Sequence, residues 1–229
     1  RQSSGSAIST GSAWDGSGMR NYYLSTWYAI SSSSTGTITL TVTMSGTLST
    51  TYAATAVAIG VSGANTASPF DGSYASSTGI SSTASVSKQT SNPHTIVIGA
   101  LGLSCNNNPI PTLTAGTGYA IITTASIDTG NFRISTSQES RILTTSGSQA
   151  VSYSLSGSRN WGIVADAIQK AGEVTLVSAG SASQSTNGGS LSPGYPTDMA
   201  TNDLILLQIT VRDDDSPFAI TVPAGFTQL

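Results

Sequence analysis

Between Thr37 and Met44 the chain alternates strictly, with Ile38, Leu40, Val42 and Met44 on one parity and Thr37, Thr39, Thr41 and Thr43 on the other. A period of two sends successive side chains to opposite faces of a strand, so the segment predicts a half-buried strand with a wet face of β-branched hydroxyls. Weaker alternation over Ala56 to Val61, Val151 to Leu155 and Ile220 to Val222 predicts more strands of that kind. Tyr22 to Ile30, Thr95 to Leu101, Tyr119 to Thr123, Trp161 to Ile168 and Leu204 to Val211 are more continuously apolar, the pattern of strands covered on both faces. Clusters rich in Gly, Ser, Asn and Pro, at Gly63 to Pro69, Asn106 to Pro111 and Gly188 to Pro196, separate these runs. Many strands divided by turn chemistry predict an all-β sandwich of jelly-roll type. Its expected core is Ile38, Leu40, Val42, Val57, Ile59, Val97, Ile121, Val164, Leu206 and Ile209, and Ala165 to Lys170 admits one helical turn and no more.

Composition narrows the function classes. Of 229 residues only 8 are Lys or Arg and 11 Asp or Glu, while 41 are Ser and 32 Thr, and the hydrophobic fraction is 38%. That apolar content is too high, and the net charge of -3 too small, for a disordered chain. No basic cluster exists to neutralise phosphates, so nucleic acid is not an expected partner. The longest dense apolar stretch, Leu204 to Val211, is far short of a membrane-spanning helix, and no membrane insertion is expected. A lone Cys105 rules out an intrachain disulfide, and a start at Arg1 with no signal peptide reads as a processed product or a segment of something longer.

Chemistry-bearing residues are sparse. The one histidine, His94, follows Asn92 and Pro93 where a turn is expected, and one His with one Cys makes a zinc site of those ligands improbable. No Gly-x-Ser-x-Gly elbow stands in a strand-to-helix context, so the expectation is a protein that is not an enzyme and carries no cofactor. Asp213, Asp214 and Asp215 form the only dense acidic set, and Asp203 adds a carboxylate if the loops meet. Hard oxygen ligands on a turn suit calcium, but three consecutive Asp cannot all point inward, and a solvated turn is the expected reading. Tyr23 and Trp27 fall on one face of their strand and offer a platform for stacking on sugars, against the simpler reading that an aromatic face is core. No Asn-x-Ser/Thr sequon occurs.

Four short motifs carry a resemblance. Asn202, Asp203 and Leu204 to Leu207 form an Asn-Asp-Leu approach to a strand, and Pro223, Ala224, Gly225, Phe226 and Thr227 a Pro-Ala-Gly-aromatic-Thr turn. Tyr22, Tyr23, Leu24, Trp27 and Tyr28 form an aromatic-rich strand, and Gly63, Ala64, Asn65, Ser68, Pro69, Phe70 and Asp71 a closing segment. Together they resemble the repeated β-sandwich modules of large bacterial, archaeal and phage surface or fibre proteins, here in circularly shifted order. The resemblance implies a division into 1–171, the main sandwich, and 172–229, strands that complete the next copy or begin the next repeat. The implied interface is Leu204, Ile205, Leu206, Leu207, Ile209, Val211, Val222 and Phe226. The expected function is a structural subunit or repeat of an extracellular or cell-surface filament, a head-to-tail homopolymer built by strand complementation or tandem repetition. Its alternatives are a carbohydrate-binding adhesin module on surface glycans and a phage tail-fibre component.

Overall fold

The computed structural model describes residues 8–9, 13–14, 19–31, 39–44, 53–105, 108–129, 133–185, 190–213 and 220–228, called the described residues below. Their regular elements are strands: β1 (Ile8–Ser9), β2 (Ala13–Trp14), β3 (Met19–Ile30), β4 (Val42–Met44), β5 (Ala53–Ala64), β6 (Ala75–Thr90), β7 (Ile96–Ser104), β8 (Leu113–Ala115) and β9 (Ala120–Asp128). They continue as β10 (Arg133–Ile142), β11 (Gly147–Ile168), β12 (Lys170–Ala179), β13 (Ser183–Ser185), β14 (Ser190–Leu191), β15 (Leu204–Asp213), β16 (Ile220–Thr221) and β17 (Thr227–Gln228). All pairings are antiparallel.

The first large sheet runs β1-β3-β15-β5-β12, with β13 extending the β12 side of β5, and β2 and β17 pairing with β3. The second runs β6-β11-β7-β10-β9, with β8 on β11, and a small third sheet runs β14-β4-β16. Side-chain parity on β15 sorts the core into layers. Leu204 and Leu206 point at the second sheet and pack with Ile59, Val61, Ile96, Ile98 and Ile168. Ile205, Leu207, Ile209 and Val211 point the other way, into a cluster with Ala54, Ala56, Ala58, Leu40, Val42 and Leu191 beneath the small sheet. Both faces of the first sheet are therefore covered, and its central strands are apolar at nearly every position rather than at every second one.

The second sheet is also covered twice. The register of β11 on β6 slips between Ser154 and Arg159, a bulge that bends this long strand pair. Its far half then lies over β7 and β10, where Val151, Tyr153 and Leu155 pack on Val97, Leu101 and Leu103. Two glycines permit close approach: a Cβ at Gly79 would stand 2.5 Å from the Trp161 ring, and one at Gly60 would meet the Met199 thioether. The Trp161 indole N–H completes its seat by donating to Ser81 Oγ at 3.0 Å.

Several sequence expectations change. Ala56 to Val61 is buried at every position, because β5 is central and small side chains let both layers close on it. Tyr119 to Thr123 is not covered on both faces: β9 is an edge strand, and Ile121 is 36% exposed rather than core. Ala165 to Lys170 makes no helical turn, since β11 runs to Ile168 and β12 starts at Lys170. Ile38 lies outside the described residues, while Leu40, Val42, Val57, Ile59, Val97, Val164, Leu206 and Ile209 are buried.

Candidate assembly interface and buried polar groups

The segment that the sequence singles out for assembly lies in the middle of its own sheet. β15 pairs along its length with β3, from Leu204 opposite Ile30 to Asp213 opposite Asn21, and on its other edge with β5, from Leu204 opposite Val61 to Arg212 opposite Ala53. Leu204, Ile205, Leu206, Leu207, Ile209 and Val211 are all buried. Val222 and Phe226 are half-buried on the cluster beneath the small sheet. The position between 171 and 172 falls inside β12, which pairs with β5.

The motif residues build the turns around this strand. Asn202 takes a φ of 70°, its amide donates to Ser31 O at 2.8 Å, and the Ser31 amide donates to Asp203 O at 2.7 Å. The buried Asp203 carboxylate accepts from the Ala200 amide at 2.7 Å, capping the turn that launches β15. Gly225, at φ 93°, turns the chain between β16 and β17, which then pairs with Tyr28 and Trp27. Asn65 Oδ1 accepts from the Ala67 and Ser68 amides, and Phe70 packs edge-on against Tyr28 with centroids 4.9 Å apart.

Trp27 is half-buried in the cluster under the small sheet, and Tyr23 is half-buried. The Trp27 indole N–H is buried with no acceptor. Asp213 closes β15, and Asp214 and Asp215 lie outside the described residues. Asp203 and Asp213 stand at opposite ends of one extended strand, roughly 30 Å apart at ~3.3 Å per residue. His94 sits exposed in a turn with φ 58°.

Sequence reading missed a set of buried polar groups. Lys88, 1% exposed, directs its ammonium at Asp71 O at 2.5 Å, Ser73 O at 2.9 Å and Gln89 O at 3.1 Å, with Asp166 Oδ1 at 3.8 Å. Three carbonyls match its three donors, and Asp166 supplies the countercharge that burial demands. The Asp71 carboxylate accepts from the Ser91 and Asn92 amides at 2.7 and 2.8 Å. Between the large sheets, Gln208 Nε2 donates to Leu101 O at 2.9 Å, and Thr136 and Thr210 share a short hydroxyl contact. Beside them Gln138 is buried with neither amide atom partnered, as are the Thr26 and Thr55 hydroxyls. A cavity of about 10 Å³, the size of one water, adjoins Thr26, Asp166 and Leu206.

On the opposite side of β10, buried Glu139 accepts from the Gly116 amide at 3.0 Å and the Ser152 amide at 3.2 Å. Burial outweighs those two amides and pushes its carboxyl up to about 7. Burial also lifts Tyr119 to about 12 and Tyr153 well above the usual phenol range, and holds the Cys105 thiol up at about 11, far from a reactive thiolate. Parity was the one available signal: Lys88 shares its face with Ala84 and Val86, a face the alternation of β6 turns inward.

No family model matches this chain, and no curated protein matches it. Among solved structures the chain is compared with the crystal structure of the parasporin-2 Bacillus thuringiensis toxin that recognizes cancer cells, at 7% identity over 91% of this chain and 77% of that one, with a TM-score of 0.10, a likeness too slight to indicate a common fold.

Proposed function

We propose that the chain is a structural module of an extracellular filament, a sandwich of jelly-roll type joined head to tail to further copies through its C-terminal strands. The observation that supports this reading is the seat of β15. A strand from residues 204–213 fills the centre of a sheet whose neighbouring strands, β3 and β5, come from residues 19–30 and 53–64. Without β15 both neighbours present an open edge and an uncovered apolar face, which a copy of the same strand fits by the same register. Delivered from a neighbouring molecule, that strand makes a heterologous contact that does not close on itself, and the product is a filament. The low charge density, 19 of 229 residues as the sum of 8 and 11, lets copies pack without mutual repulsion.

The test combines electron microscopy with a cross-strand cysteine pair, Ser25→Cys with Ile209→Cys, whose positions face each other on β3 and β15. Filaments together with a ladder of covalent oligomers on a non-reducing gel are the expected result. Filaments with only internally linked monomer mean that separate copies join by contacts other than strand exchange. Discrete particles with no ladder overturn the filament reading and make glycan arrays the next measurement.

A further inference from the structure

Glu139 ties β10 to the paired strands β8 and β11, which otherwise lie over it through apolar packing. Its side chain leaves β10 toward the layer formed by the bent β6–β11 pair and reaches the Ser152 amide of β11 with one oxygen and the Gly116 amide, just past β8, with the other. β8 itself is a strap of three residues that, among the described residues, pairs with Tyr153 to Leu155 of β11 alone. Every side of the carboxyl is occupied. From β7, Gly99 leaves only the space that Glu139 and Val151 fill. From β11, Tyr153 spends its hydroxyl on Gly99 O at 3.1 Å. From the turn before β9, buried Tyr119 has a hydroxyl with no partner, and Arg141 of β10 lies over the Tyr119 ring at 6.0 Å. Among the described residues Glu139 has no ion pair, so nothing offsets a full negative charge in this layer except two amides.

We propose that Glu139 is a pH-sensitive clasp: neutral, it lets the β8 strap and the Gly147 to Leu155 part of β11 close on β10, and ionised, it loosens that layer so that water reaches the carboxylate. A neutral carboxyl retains an acceptor for the strap amide and carries no charge to desolvate. An ionised one binds both amides more strongly but suffers the burial penalty, and the penalty dominates. Because the carboxyl titrates higher in the folded chain than in the unfolded one, where its ordinary value is 4.5, the folded chain holds the proton more tightly. The linked stability is complete below pH 4.5 and is lost as pH rises through about 7, the reverse of the usual acidic-residue case.

Thermal unfolding and amide hydrogen exchange between pH 5 and 8 test the clasp in the full chain and in Glu139→Gln, which keeps one acceptor and cannot titrate. The folding equilibrium constant of the parent should fall by about two orders of magnitude over that range, with corrected protection falling at Gly116 and Ser152 before it falls at Leu206 of β15. Glu139→Gln should lack this dependence. An identical pH profile in both chains, or protection lost evenly in β15 and the strap, overturns the proposal. If Glu139→Gln does not fold, the carbon-13 shift of the Glu139 carboxyl in the parent decides it: a midpoint near 7 supports the clasp, and one below 5 overturns it.

Discussion

The ammonium of Lys88 is tightly constrained, with three carbonyl acceptors and one buried carboxylate around a side chain that is 1% exposed. Lys88→Met therefore strips the cation from Asp166 and the donors from three carbonyls, and should cost about 3–5 kcal/mol, read as a lower urea midpoint. Pairing it with Asp166→Leu should restore part of that loss, because an apolar pair needs no countercharge. At Gly79 the constraint is space: Gly79→Val drives a side chain into the Trp161 ring, and should cost about 1–3 kcal/mol and shift Trp161 fluorescence. At Lys88 the parity of β6 is the one local signal, and at Gly79 no sequence pattern marks the close approach. A lysine among serines otherwise reads as a solvent-facing residue, and only the bend of the β6–β11 pair, which no local pattern encodes, turns it beneath a second layer. Glu139 escaped for the same reason, since its partners Gly116 and Ser152 lie on elements brought over β10 by that bend.

At the scale of elements, apolar continuity was the informative pattern. Leu204 to Val211 and Thr95 to Leu101 read as strands buried on both faces, and β15 and β7 are such strands. Tyr119 to Thr123 carries the same pattern yet forms an edge, because residues on β9 have a neighbouring strand on one side only. Ala53 to Ala64 shows the converse: alanine is weakly apolar, so nothing in the run announces a strand as completely covered as β5. The contrast between centre and rim gives a measurable difference. Ile209→Ala, at a position with no exposed surface, should cost about 2–5 kcal/mol. Phe226→Ala, on the half-buried rim of the same cluster, should cost distinctly less, and chemical denaturation of the two variants compares them directly.

For the whole molecule, the division at residue 171 does not separate two packing units. The 172–229 segment supplies β15 to the centre of a sheet, between β3 and β5 from the 1–171 segment, and adds β13 and β17 to the same sheet, while β12 straddles the division. Chemical denaturation of the full chain should therefore give one cooperative transition, with fluorescence and far-UV circular dichroism coinciding; two separated transitions would mean that the layers unfold independently. The all-β class was legible from periodicity, and the turns at Asn202, Asn65 and Gly225 from their residue types. The four-deep layering was not, because it depends on which sheet lies over which, and pairing over long sequence separations leaves no local trace.

The central position of β15 also dictates an order of events during synthesis. β3 and β5 leave the ribosome long before their shared neighbour, since β5 ends at Ala64 and β15 begins at Leu204, 204 − 64 = 140 residues later. At ~5–20 residues per second that interval is roughly 7–30 s, during which two strand edges and an apolar face stand open on the nascent chain. A holdase chaperone that covers these edges until the last strand arrives would raise the yield of folded protein, and any pause in translation before Leu204 would lower it.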